Sequence, residues 1–248
     1  VHGDRRISYR ALDARARTLA RVLLAQGVRR GEAVGLLADR GIEYAVGMLA
    51  CMHAGAMYLP LAAELPDARI AFMLRDSGAR LLLAQEGPLH QRAAHSAGGE
   101  GCRLIALTST AADAGTCADA ADAIDLPRIG VDDASHLLFT SGSTGDPKGV
   151  VSTHGALMNR VAWMLDTFPF AHDEVCCLIT STAFVRAVWE ISVPLAAGCP
   201  LVVVDAETVT DLAAFARLLS AHRVTRIVTA PSLARALTEL DDAPRLLA

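Results

Sequence analysis

"HLLFTSGSTGDPKGVVSTHGALMN", residues 136–159, decides how this chain is read. An apolar run enters a loop made almost entirely of glycine, serine, threonine and proline, and a helical pattern follows. The loop carries Lys148, the sole lysine in a chain whose other long cationic side chains are all arginine. A strand, a flexible loop and a helix in that order set backbone N–H groups and a helix N-terminus against an anion. Gly142, Gly145 and Gly149 let the main chain approach closely and take positive φ. Ser141, Ser143 and Thr144 offer hydroxyl donors. A compact ammonium meets a phosphate as a point charge, so lysine suits the position better than the rigid fork of arginine. On composition alone a Gly/Ser linker fits equally. The spacing is neither GxxxxGK[ST] nor GxGxxG, because Pro147 separates Gly145-Asp146 from the lysine.

Outward from the loop, short apolar runs alternate with amphipathic stretches. Upstream, Ser8 is a candidate N-cap for a helix with Leu12, Ala16, Leu19, Leu23 and Leu24 on one face, ended by Gly27. "AVGLLA" (33–38) reads as a strand, 42–54 as a helix, "DARIAFMLRDSG" (67–78) as a capped helix and "ARLLLA" (79–84) as a strand. Residues 86–101 read as loop, "CRLIAL" (102–107) as a strand, and the aperiodic stretch 109–130 as a surface linker. Downstream, a helix is expected over 154–167, a strand over 175–180, a helix over 186–197 and a strand over 200–205. A helix over 210–222, a strand over 224–230 and a helix opening at Pro231-Ser232 complete the pattern. Such alternation predicts α/β architecture, with parallel sheets covered by helices on both faces. The linker is expected to divide it into lobes 1–130 and 131–248.

With 52% apolar and 20% charged residues, the 248-residue chain can bury a core. Its net charge of −4 offers no electrostatic case for nucleic acid or a membrane surface. The six cysteines form no CxxC and no metal spacing with histidine, which fits reduced thiols in a cytoplasmic protein. No signal-peptide pattern and no apolar run of about 18 residues is present.

The order of residues in "FTSGSTGDPKGV" closely resembles the phosphate loop of the adenylate-forming superfamily, with nine consecutive positions, Thr140 to Lys148, fitting its pattern. "ISYRALDARARTLARVL" is similar to the family's opening helix, and "CMHAGAMYLPL" to a segment of peptide-synthetase adenylation domains. There Leu61 is followed by Ala62-Ala63 where Asp-Pro is usual. "AFVRAVWEISVPLAAGCPLVVV" resembles the segment written FDxSVWE, and Val188-Trp189-Glu190 favours peptide synthetases over fatty acyl-CoA ligases. "VTRIVTAPSLARAL" resembles the strand and helix that come next in the family.

The resemblance implies two lobes of a large N-terminal domain and a reaction in which a carboxylate attacks ATP, giving an acyl-adenylate and pyrophosphate. The acyl group then passes to a phosphopantetheine thiol on a carrier-protein domain. Thr140, Ser141, Gly142, Ser143, Thr144, Gly145 and Lys148 are the implied phosphate-binding set, with Thr144 and Lys148 in the catalytic role. Mg²⁺ is implied as well, with no protein metal ligand assigned. Phe184, Val185, Arg186 and Trp189 are the implied acid pocket, and Glu190 and His154 are read as structural. Val185 stands where the family's pattern has the aspartate that holds an α-ammonium, so an acid other than a standard α-amino acid is expected. A condensation domain and an MbtH-like protein are further implied partners. The implied downstream segments, including a second catalytic lysine, do not appear, so this stretch alone is expected to be inactive. A catalytically dead scaffold domain and a stand-alone acid:CoA ligase are the alternatives.

Overall fold

Helix α1 (Tyr9–Ala25) starts where the Ser8 hydroxyl accepts from the Ala11 N–H at 3.2 Å, and it turns Leu12, Ala16, Leu19 and Leu23 inward. In the computed structural model, residues 1–99, 101–108, 124–140 and 147–239 are described. Strand β1 (Ala33–Leu37) follows and is buried along its whole length, as a strand covered on both faces must be. Then come α2 (Ile42–His53), β2 (Met57–Leu61), α3 (Asp67–Ser77), β3 (Leu81–Gln85), α4 (Pro88–Gly98) and β4 (Arg103–Leu107). Strands β5 (Ala134–Thr140) and β6 (Lys148–Thr153) complete a six-stranded sheet ordered β4-β3-β1-β2-β5-β6. Its strands are parallel except β6, which runs antiparallel to β5.

The core of this sheet is aliphatic, with Leu37, Leu59, Leu61, Ile70, Leu74 and Leu82 among its buried members. Gly47 on α2 lies so close to β1 that a Cβ there would stand 2.6 Å from Leu36 Cδ1. Helix α3 ends at Gly78, whose φ of 65° is the left-handed cap that the sequence signals.

Residues 7–159 form one compact unit, and residues 1–6 with the chain from Arg160 onward form another, so the break in packing does not coincide with residue 130. Helix α5 (His154–Thr167) contributes residues to both. The second unit holds the parallel pair β7 (Cys176–Leu178) and β8 (Leu201–Val203). It also holds α6 (Val185–Ala197), α7 (Ala206–Thr210), α8 (Leu212–Ala221) and α9 (Pro231–Thr238). Its core gathers Cys177, Ile179, Val202, Val204, Phe215 and Leu219. The Asp211 carboxylate caps α8, accepting from the Ala213 and Ala214 N–H groups at 3.1 and 3.0 Å. Asp205 gives α7 no side-chain cap and meets His2 instead.

The architecture is the expected α/β class, and the departures have local causes. Strand β2 contains Pro60, a residue that argues against a central strand. The β2–β5 ladder beside it is reduced to the single pair Tyr58–His136. The segment 86–101, expected as loop, contains α4. Its polar composition hides the helix, but Pro88 at its start is a favourable first residue. Arg92 of α4 pairs with Asp67 and donates to the carbonyls of Ala63 and Leu65, so tertiary contacts hold it. The expected strand 224–230 is reduced to one bridge, Cys176 to Arg226, where the Thr225 and Arg226 N–H groups both donate to the Val175 carbonyl. Of the expected linker, 109–123 lies outside the described residues. The rest, 124–130, packs on the first unit, with the Arg21 side chain donating to the Ile124 carbonyl at 3.2 Å and Gly130 N–H to Asp133.

Candidate functional site

The glycine-rich stretch joins β5 to β6, and the ladder between these antiparallel strands runs up to the pair Thr140–Lys148. The stretch therefore lies between two paired strands. The expected helix N-terminus at the loop is corrected: α5 begins at His154, at the far end of β6, a whole six-residue strand away. Ser141, Gly142, Ser143, Thr144, Gly145 and Asp146 lie outside the described residues, which leaves Thr140 and Lys148 from the expected phosphate set. Both are exposed, side by side at the root of the loop, with the Thr140 hydroxyl 3.5 Å from the Lys148 carbonyl. Among the described residues no carboxylate pairs with the Lys148 ammonium.

Gly149 also differs from expectation. It sits in β6 opposite Phe139 and is not among the described positive-φ glycines. What it provides is space, since a Cβ there would come within 3.0 Å of Leu137 Cδ1 and 3.4 Å of Phe139 Cζ.

Behind the hairpin end, β5 carries a buried polar pair. Ser135 Oγ donates to the Ser152 carbonyl at 3.1 Å and lies 2.8 Å from His136 Nδ1. With the hydroxyl proton committed to Ser152, the network assigns a proton to Nδ1. The His136 ring packs on Tyr58 with centroids 5.6 Å apart. Burial, with nearby His154 adding to it, holds the His136 imidazole down at about 4.

The expected acid-pocket residues lie in the second unit, where β7 hands over to α6. Phe184 is the N-cap residue of α6 and Val185 its first residue, and both are exposed. Trp189 stacks on the Arg160 guanidinium, which is 4.5 Å from its ring centroid and 4.4 Å from that of Trp163. Trp189 also lines an apolar cavity of about 20 Å³ with Met164, Val193 and Pro194. That is room for little more than one water.

Glu190, expected to be structural, has the most elaborate surroundings of this group. Its side chain is 1% exposed. One carboxylate oxygen accepts from the Ile179 and Thr180 N–H groups at 3.1 and 3.0 Å. The other accepts from the Thr180 hydroxyl and pairs with Arg186 Nε at 3.2 Å. Arg186 Nε lies 2.6 Å from Thr180 Oγ1, which accepts from it. Burial raises the Glu190 pKa, and these donors work against that rise. The neighbouring Cys177 thiol is pushed up to about 12, chiefly by burial, so it is an inert core group. The i,i+4 spacing of Arg186 and Glu190 signals such a pair in the sequence, but nothing local marks Thr180 as its third member. Among the described residues, no group of three or more His, Cys, Asp or Glu could hold a metal ion.

The family model for AMP-binding enzymes matches residues 1–247. The chain belongs to the AMP-binding enzyme family. Within this AMP-binding family, it is 36% identical over 234 residues to tyrocidine synthase 3 of Brevibacillus parabrevis, covering 94% of this chain and 3% of that protein. It is 31% identical over 238 residues to tyrocidine synthase 1 of the same organism, covering 96% of this chain and 21% of that one. Among solved structures, ATP-bound MatB from Rhodopseudomonas palustris superposes with a TM-score of 0.78 at 25% identity, covering 97% of this chain and 46% of that protein. The chain thus spans less than half of each of these three proteins. Its relatives are adenylation modules of nonribosomal peptide synthetases, and its fold is that of the N-terminal domains of adenylate-forming enzymes. No helix among the described residues is long and apolar enough to cross a membrane.

Proposed function

We propose that this AMP-binding chain works within a longer synthetase as the N-terminal part of an adenylation domain. It activates a carboxylic acid with ATP as the acyl-adenylate, for transfer to a phosphopantetheine thiol on a carrier domain in nonribosomal peptide biosynthesis. The observation that carries this reading is the exposed Thr140–Lys148 pair at the root of a loop whose nine residues match the family's phosphate loop. ATP and Mg²⁺ supply an activated α-phosphate and the counter-charge for pyrophosphate. The chain's own part is to hold the β- and γ-phosphates with loop N–H groups, with the hydroxyls of Ser141, Ser143 and Thr144 and with the Lys148 ammonium. Chemistry of this kind depends on positioning and on neutralising charge as it develops. The exposure of Lys148 fits that use. The same reading makes the protein cytoplasmic and gives it a condensation domain and an MbtH-like protein as partners.

For the acid, the start of α6 supports a molecule without an α-ammonium. Val185 offers no counter-charge, and Glu190, five residues along the helix, is already engaged by three hydrogen-bond donors and by the Arg186 charge. Leaving a buried ammonium unpaired costs about 3–5 kcal/mol, enough to abandon that class of substrate. The test is acid-dependent ATP–pyrophosphate exchange by the full-length protein over a panel of aryl, α-keto, α-hydroxy, fatty and α-amino acids, with Val185→Asp beside it. Preference for an acid lacking the ammonium, and a gain of α-amino-acid exchange in Val185→Asp, are expected. Strong preference of the unmodified protein for a standard α-amino acid would refute the substrate argument.

A further inference from the structure

Helix α6 starts without a capping side chain. Its N-cap residue is Phe184, which accepts nothing through its side chain, so the usual local device for fixing where a helix begins is missing. What fixes the start is a contact made from the second turn. The Glu190 carboxylate reaches back to the N–H groups of Ile179 and Thr180, where the chain leaves β7, and to the Thr180 hydroxyl, which also accepts from Arg186 of the first turn. The network closes a ring around the turn that carries Phe184 and Val185. Both of those side chains are exposed, so packing of their own does little to hold them.

We propose that Glu190 is a positioning residue: by clamping α6 to the end of β7 it sets where Phe184 and Val185 stand, and through them which acid the protein selects. This rests on the adenylation reading above and on the start of α6 being the acid pocket. Glu190 itself touches no substrate. Replacing it with glutamine keeps its shape but puts an amide NH2 where Oε1 accepts from the Thr180 hydroxyl and pairs with Arg186, so that side of the clamp loses its acceptor and its charge without a cavity forming. A misplacement of an ångström at reacting or binding groups is enough to cost rate or affinity by large factors.

The experiment compares Glu190→Gln, Thr180→Val and Thr180→Ser in the full-length protein by ATP–pyrophosphate exchange, with KM measured separately for acid and for ATP. Glu190→Gln should raise the acid KM by about tenfold while the ATP KM stays within about twofold, a split that a loss of folded protein cannot produce. Thr180→Val, which removes one hydroxyl from the ring, should raise the acid KM by about threefold, and Thr180→Ser should restore the parental value. Should Glu190→Gln fail to fold, the Thr180 pair decides. A working parent whose folded Thr180→Val keeps its acid KM, or whose acid and ATP KM values rise together, overturns the positioning role alone. A parent without acid-dependent exchange overturns the adenylation reading and this inference with it.

Discussion

At the end of the β5–β6 hairpin the polar side chains stand in solvent: Thr140 and Lys148 are exposed, and among the described residues Lys148 has no carboxylate partner. At the end of β7 the polar side chains are turned inward, and Glu190 is buried and shared among three residues. Both places close a strand with charge, but they use it in opposite ways. An exposed ammonium contributes little to folding and can be reached by a ligand. A buried carboxylate with its acceptor sites filled is part of the fold, and influences a ligand only through what it positions.

Glu190→Ala should therefore have the largest effect on stability. It strands two backbone N–H groups, a hydroxyl and a guanidinium that is one-third exposed. A loss of about 3–4 kcal/mol is expected in denaturant unfolding, in the range for breaking a buried pair. A loss below about 1 kcal/mol would erase the contrast between the two ends.

Next in size is a pH effect from the buried side of the hairpin. Unfolded His136 takes up a proton near 6.5, whereas in the folded chain it does so only near 4. Between those values the unfolded state binds more protons, so His136 contributes stability that is complete above about 6.5 and is lost as pH falls toward about 4. About 2–3 kcal/mol should disappear across that window, and His136→Gln should flatten that part of the curve. Glu190 opposes it. Its raised pKa means that the folded state binds the extra proton, so its contribution falls as pH rises through the folded value.

Gly149→Ala probes the hairpin backbone itself. Because Gly149 is a strand residue facing two movable side chains, its replacement squeezes Leu137 and Phe139 but stiffens the unfolded chain. The two effects offset, and stability should change by no more than about 0.5 kcal/mol. A loss above about 1 kcal/mol would show that the backbone there needs a glycine conformation.

These regions were not equally legible in the sequence. Continuous apolar runs marked the parallel strands β1, β3 and β4, and helical runs closed by a glycine marked α1, α2 and α3. Strand β6 escaped. "KGVVST" contains a glycine, lies on an exposed edge and runs into a true helix, so its two-residue period is too short to separate from the helix beyond it. That miss changed the reading of the site, since α5 begins beyond β6 and the described root of the hairpin offers Thr140 and Lys148. The order of residues from Thr140 to Lys148 still pointed to the family, as did Val188-Trp189-Glu190. The clamp around Glu190 was half visible, through its spacing from Arg186. Its reach to Ile179 and Thr180 depends on where β7 ends, and that is a property of the folded chain.

The smallest expected change in stability goes with the most direct test of function. Lys148→Ala, made in the full-length protein, should alter folding by no more than about 0.5 kcal/mol, as for an exposed surface side chain. Acid-dependent ATP–pyrophosphate exchange should nevertheless slow by roughly ten- to a hundredfold, the loss of one charge-assisted contact worth about 1.5–3 kcal/mol in the transition state. Lys148→Arg should not restore it fully, since a guanidinium fork does not replace a compact ammonium. Exchange that proceeds at the parental rate in a folded Lys148→Ala protein would contradict the assignment of this hairpin as the phosphate site.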